Sequence, residues 1–137
     1  MITQKTIKLP SFPRGYHLIT SWLENELDDL PQTGLVHIFI KHTSAALSLN
    51  ENADPTVRYD FESFMNKLIP ENDPVYQHVM EGDDDMPAHL KSSLLGASVM
   101  IPIRKHRLNM GIWQGVYLCE FRNYGGARKL VITIYGE

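Results

Sequence analysis

Alternating apolar and polar positions organise most of this 137-residue chain before any single residue is considered. TIKLP (6–10) and GYHLIT (15–20) alternate with the period of two expected of half-buried strands. Ser21 and Glu24 then have the spacing of a capping box, and Leu23, Leu27 and Leu30 follow at helical spacing until Pro31. TGLVHIFIKH (33–42) is the clearest central strand, with Val36, Ile38, Ile40 and His42 on one face. SAALSLN (44–50) reads as its partner strand.

The strongest helical pattern lies in ADPTVRYDFESFMNKLIP (53–70). Asp54 stands at the N-cap, Pro55 at the first helical position, and Val57, Phe61, Phe64, Met65 and Leu68 form the apolar stripe. A shorter helix is predicted from Met86 to Leu95, with Asp85 as N-cap, Met86, Leu90 and Leu94 on its apolar side, and Gly96 as the stop. SVMIPI (98–103), GVYLCEF (115–121) and KLVITIYG (129–136) complete the chain as strands, the last two joined through RNYGGAR. With no repeat and no linker the chain is one domain, 1–137. Its element order predicts an α+β fold with a largely antiparallel sheet.

Composition narrows the function classes. A formal net charge of −3 gives no dominant basic face, which argues against a phosphate-backbone binder such as a nucleic-acid protein. The longest dense apolar run, LVHIFI, is too short to span a membrane, and the first residues lack the apolar core of a signal peptide. The single cysteine, Cys119, cannot form an internal disulfide and suits a reducing compartment. A cytoplasmic protein is expected. Cys119 also lies inside an alternating strand, where it reads as a small buried apolar residue rather than a nucleophile.

Candidate chemistry gathers at element ends. EGDDDMPAHLKSSLLG (81–96) sets three aspartates before a helix that carries His89 in its first turn. One aspartate suffices to cap a helix, and three adjacent like charges repel, so the surplus points to a cation or donor that offsets them. Asn50, Glu51 and Asn52 form a second polar cluster after a strand. His42 closes a strand and His78 sits in an irregular segment. Singly each histidine suits a core or surface role, but three imidazoles from three elements can converge as zinc ligands. His17, His37 and His106 read as strand or surface residues, and Trp113 and Gln114 as either ligand-orienting or subunit-contact residues. Arg107, Arg122 and Arg128 are the guanidinium groups that a phosphate-bearing ligand would need.

The segments HTSAALSLNENADP, EGDDDMPAHLKSSLLG, IWQGVYLCEFR and VITIYGE occur in this order and closely resemble the YjbQ-like family, also described as secondary thiamine-phosphate synthase. The resemblance spans nearly the whole chain. It implies a two-sheet β-sandwich with about three helices, assembling as a homotrimer around a threefold axis. It also implies a metal site on His42, His78 and His89, zinc being favoured by imidazole ligation. Glu51 and Asp85 are then the acid/base candidates. Thr43, Ser44, Asn52, Asp84, Arg107, Gln114 and Arg128 are the candidate substrate contacts. RKHRLNMG departs from the family pattern, because His106 stands where a glycine or asparagine is more usual.

The activity implied is the joining of a pyrimidine diphosphate to a thiazole phosphate. The dedicated fold for that reaction, a TIM barrel, takes typically about 250 residues, so here it is expected as a side reaction. Magnesium held by the acidic run could serve the diphosphate. A three-histidine site better suits attack by an activated water on a carbonyl or phosphoryl centre. The expected function is therefore a metal-dependent enzyme on a small phosphorylated or heterocyclic metabolite. The alternatives are a trimeric metal- or ligand-binding protein without turnover and a purely structural trimer.

Overall fold

The computed structural model describes residues 1–137 as two antiparallel sheets packed face to face, with two of the three helices on one outer face. The strands are β1 (Ile2–Lys8), β2 (Gly15–Leu18), β3 (Thr33–Ile40), β4 (Ala45–Glu51), β5 (Ser98–Arg104), β6 (Arg107–Leu108), β7 (Gln114–Glu120) and β8 (Lys129–Gly136). The helices are α1 (Thr20–Glu26), α2 (Pro55–Leu68) and α3 (Asp85–Leu95). One sheet has the order β1-β8-β3-β5-β6 and the other the order β2-β7-β4. This is the expected α+β sandwich. No helix is long and apolar enough to cross a membrane.

The alternation explains the layers. Val36, Ile38 and Ile40 of β3 face Leu47 of β4 and Val116 and Leu118 of β7 in a core of 16 buried residues between the sheets. The odd-numbered residues of β7 point the other way. Tyr117 and Cys119, with Phe121 just beyond the strand, join Tyr16, Ala46 and Ala88 in a second core beneath the helices. That double burial is why GVYLCEF is apolar almost without interruption. Cys119 is fully buried and free, and burial pushes its thiol pKa far up, as its strand position led us to expect.

Several local expectations are corrected. SAALSLN is not the partner of TGLVHIFIKH: residues 41–44 carry the chain from one sheet to the other, and β4 pairs with β7. Ser21 lies inside α1, whose N-cap is Ile19 and makes no side-chain bond, so the capping box does not form. The Thr20 hydroxyl instead accepts from Val116 N–H at 3.0 Å. Asp54 does cap α2, accepting from Thr56 N–H at 2.9 Å. Only part of the α2 stripe is covered: Phe61 and Met65 pack on the second core, while Phe64 and Leu68 stay exposed.

The largest correction concerns α3. Leu90 and Leu94 face outward, and the inner face is Asp85, Ala88 and Lys91. Lys91 is buried because it has partners. Its ammonium donates to Asn66 Oδ1 at 2.6 Å and lies 5.8 Å from the Phe121 ring centroid, and burial lowers its pKa. Polar bonds to neighbouring elements therefore override the apolar stripe. The tight β5–β6 turn puts Lys105 and His106 at φ 52° and 64°, the geometry that favours Gly or Asn. His106 occupies that turn with its Nδ1 on Leu30 O at 2.7 Å, which accounts for the departure in RKHRLNMG.

Candidate metal centre

The site begins at the first turn of α3. Asp84, not Asp85, is the N-cap residue, and its side chain caps nothing. Asp85 and His89 stand four residues apart and so share a helix face. Asp85 is 2% exposed, and its Oδ2 lies 2.6 Å from His78 Nε2 and 3.0 Å from His89 Nε2. Its Oδ1 accepts from Arg122 Nη1. The His78 and His89 rings approach to 5.4 Å between centroids. Glu81 Oε2 reaches His78 Nε2 at 3.3 Å, and one donor atom from each of His78, Glu81, Asp85 and His89 lies within 4.8 Å of the others.

Proton bookkeeping makes this convergence informative. His89 Nδ1 is 2.8 Å from Thr43 O, and a carbonyl only accepts, so Nδ1 carries the proton. In the neutral ring Nε2 is then a bare lone pair facing a carboxylate at 3.0 Å. Two acceptors at that distance call for a proton or a cation between them. Histidine ligands of metals have this arrangement, one nitrogen fixed on a carbonyl and the other aimed at the ion. Two imidazoles, one buried carboxylate and one exposed carboxylate also suit the donor chemistry of zinc. The residues present fit a divalent metal.

Charge is compensated internally as well. Burial alone would raise the Asp85 carboxyl, but the hydrogen bond from His78 and the Arg122 guanidinium outweigh it and hold it below the usual carboxylate range. Asp84 behaves alike: burial opposes ionisation, while Asn123 N–H at 2.9 Å and Arg122 Nε at 2.9 Å favour it and win. The bond to Asp85 in turn raises the His78 pKa. The offset for the aspartate run is therefore Arg122 for two of the three, and Asp83 alone remains a free, exposed carboxylate.

The other expected site residues divide. His42 is not in the cluster: its Nε2 accepts Lys129 N–H at 2.8 Å, and burial followed by the Arg128 charge lowers its pKa. Ser44 and Arg128 are buried on each other, and Arg128 also forks onto Glu120, so Arg128 serves the interior rather than a phosphate. Thr43 contributes its carbonyl. Glu51, Asn52 and Gln114 sit at the far end of the β4–β7 pair, six residue steps or roughly 20 Å from its near end at about 3.3 Å each. There Glu51 accepts from Ala53 and Asp54 N–H, Asn52 donates to Ile112 and Gln114 carbonyls, and Gln114 accepts from Gly111 N–H. Arg107 is on the β5–β6 hairpin among Glu24, Leu27 and Leu30. Glu81 and the structural task of Arg122 were not anticipated. The signal for the cluster was the i, i+4 pair Asp85–His89.

Comparison with known proteins agrees with this architecture. The family model described as "UPF0047 protein YjbQ-like" matches residues 5–137. The chain belongs to the YjbQ-like UPF0047 family. It is 52% identical over 136 residues to UPF0047 protein YjbQ of Salmonella typhimurium, covering 98% of each chain. It is 37% identical over 119 residues to UPF0047 protein YugU of Bacillus subtilis, covering 85% of this chain and 88% of that one. Among solved structures, a YjbQ/UPF0047 protein of Clostridium acetobutylicum superposes with TM-score 0.84 at 33% identity, covering 96% and 99% of the two chains. A protein of unknown function from Sulfolobus solfataricus shares the fold at TM-score 0.88 and 24% identity, over 100% and 99%.

Proposed function

We propose that His78, Asp85 and His89, joined by Glu81, hold one divalent metal ion, zinc by donor chemistry, in an enzyme acting on a small heterocyclic or phosphorylated metabolite. The supporting observation is two imidazole nitrogens meeting on one buried carboxylate oxygen, with His89 Nδ1 already committed to a carbonyl. Bound at such a set, the ion supplies Lewis acidity and an acidified water. Asp85, kept ionised, is the anchoring carboxylate rather than the proton donor. Glu81 is exposed beside His78, and it replaces Glu51 as the group placed to carry a proton to solvent.

Thiamine-phosphate synthesis fits this reading as a side activity. Arg122 is engaged by two aspartates, Arg128 is buried and Arg107 lies on another hairpin, so the cluster has no unengaged guanidinium for a substrate phosphate. Magnesium bridging a diphosphate would rely on Asp83. The engagement of Glu51, Asn52 and Gln114 with backbone groups favours the second reading, a metal-binding protein without turnover, over an enzyme whose acids span both sheet ends. Assembly is proposed as a homotrimer, since Leu35, Phe39 and Met100 stand exposed on the outer sheet face and Ile112 and Trp113 before β7.

Elemental analysis of the purified protein should find about one zinc per chain, lost in His89→Ala and kept in His17→Ala. Wild-type protein that takes up neither zinc nor cobalt would remove the metal centre. Incubation with the pyrimidine diphosphate and the thiazole phosphate should release thiamine phosphate slowly. No product from the metal-loaded protein would leave the binding reading. Light scattering at the monomer mass at micromolar concentration would end the trimer.

A further inference from the structure

A buried ion pair lies beneath the metal centre, and none of the chemistry above uses it. Glu120, 0% exposed at the end of β7, receives two bonds from Arg128, Nε to Oε1 at 2.7 Å and Nη2 to Oε2 at 2.5 Å. Arg128 Nη2 also donates to Ser44 Oγ at 3.0 Å and approaches Ser44 O at 3.3 Å. On the other side of Thr43, His42 is tied to the backbone at the start of β8. Thr43 is thus clamped from both neighbours, and its carbonyl is the one that meets His89 Nδ1 at 2.8 Å. Glu120 Oε2 further accepts from Arg122 N–H at 3.2 Å, and Arg122 is the residue that grips Asp84 and Asp85. The pair therefore touches the centre along two routes, through Thr43 to His89 and through Arg122 to Asp85.

The local sequence is fitted to this pair. A Cβ at Gly125 would overlap the Glu120 carboxylate and crowd Arg128 Nη2, so the 122–128 loop can close over the pair only with glycine there. A buried ion pair is a weak source of stability, because desolvation offsets most of the attraction, and apolar residues of similar volume serve a fold as well or better. What apolar residues cannot supply is a fork that sets the position of a polar loop.

We propose that the Glu120–Arg128 pair positions the metal centre, fixing the Thr43 carbonyl that selects the Nδ1–H form of His89 and aims its Nε2 at the ion. This rests on the metal reading given above. Glu120 and Arg128 are positioning residues and touch neither metal nor substrate.

The test replaces both members at once, Glu120→Leu with Arg128→Met, so that no buried charge is left unpaired. Cobalt is the probe, because its visible bands report coordination geometry as well as affinity. The folded double variant should bind cobalt roughly 10- to 100-fold more weakly, the cost typical of lost outer partners of metal ligands. Its cobalt bands should change shape while its melting temperature stays close to wild type. A folded double variant with wild-type affinity and bands overturns the positioning role and leaves the metal centre standing. Wild-type protein that binds no cobalt overturns both. If the double variant does not fold, Ser44→Ala decides: it removes only the Oγ acceptor and should still weaken cobalt several-fold, and unchanged binding there overturns the proposal.

Discussion

The two ends of the β4–β7 strand pair carry equally polar residues and use them in opposite ways. At the far end the side chains of Glu51, Asn52 and Gln114 bond only to backbone groups, Glu51 to residues 53 and 54, Gln114 to Gly111, and Asn52 across the strand pair to Ile112 and Gln114. At the near end Glu120, Arg122 and Ser44 reach across the chain to residues 81, 84, 85 and 128. Bonds to backbone groups close the turns at that end. Long-range bonding at the near end leaves two imidazole nitrogens and a carboxylate facing one another. Polar clusters at strand ends are thus not equivalent as site candidates, and what separates them is whether their side chains are spent on backbone groups or meet other side chains.

The sharpest way to break this contrast is Arg122→Ala. It would leave Asp84 and Asp85 buried without their cation, which costs about 3 kcal/mol, the low end for a broken buried pair because Arg122 is 26% exposed. Denaturant unfolding measures it, and wild-type stability in this variant would mean the aspartates are compensated elsewhere. At the far end Asn52→Ala removes donors to two carbonyls and should cost roughly 1–2 kcal/mol. That loss should come with unchanged cobalt affinity, and weakened cobalt binding would show that the ends are coupled.

A pH series sharpens the same comparison with a smaller effect. The Asp84 carboxyl is held below its unfolded value, so its contribution is complete above that value, about 3.9, and is lost as pH falls through the depressed one. Asp84→Asn should therefore flatten the acid limb of the stability curve below about pH 4. Asp54, whose carboxyl is lowered by the Thr56 backbone bond, has the same sign but is fully exposed, and Asp54→Asn should flatten it less. Equal flattening would mean that the Asn123 and Arg122 bonds add nothing beyond an exposed cap.

Much of the fold was legible because it rests on periodicity. The strand and helix positions, the Asp54 cap and the α+β class follow from alternation and end signals, while the division into two sheets came from the resemblance. The inward face of α3 was not legible. Its burial of Asp85 and Lys91 depends on Arg122 and Asn66, which are distant in sequence. His42 was named a ligand by resemblance, while its period-two position with Val36, Ile38 and Ile40 read as core; the β3 strand ends before it and the distant Lys129 amide takes its ring nitrogen. His78 was placed in the site by resemblance, since its irregular segment has no period to read. Asp85 and His89 also entered by resemblance, although their spacing of four residues puts them on one helix face.

The smallest effect separates the members of the aspartate run. Three adjacent carboxylates invite the expectation that replacing Asp83 and Asp84 by Asn relieves repulsion and stabilises the fold, and that Asp85→Asn is mild. Arg122 removes that expectation for Asp84 and Asp85, whose replacement by Asn should destabilise. Asp83 is exposed and has no ion-pair partner, so it alone keeps the original reasoning. Asp83→Asn should shift stability by no more than about 0.5 kcal/mol, the range of a plain surface change, and toward stabilisation because one like charge beside Asp84 is gone. Cobalt affinity should hold within about twofold, since Asp83 is outside the four-residue donor group. A loss of binding as large as that of Asp85→Asn would make Asp83 a ligand and move the centre toward the loop before α3.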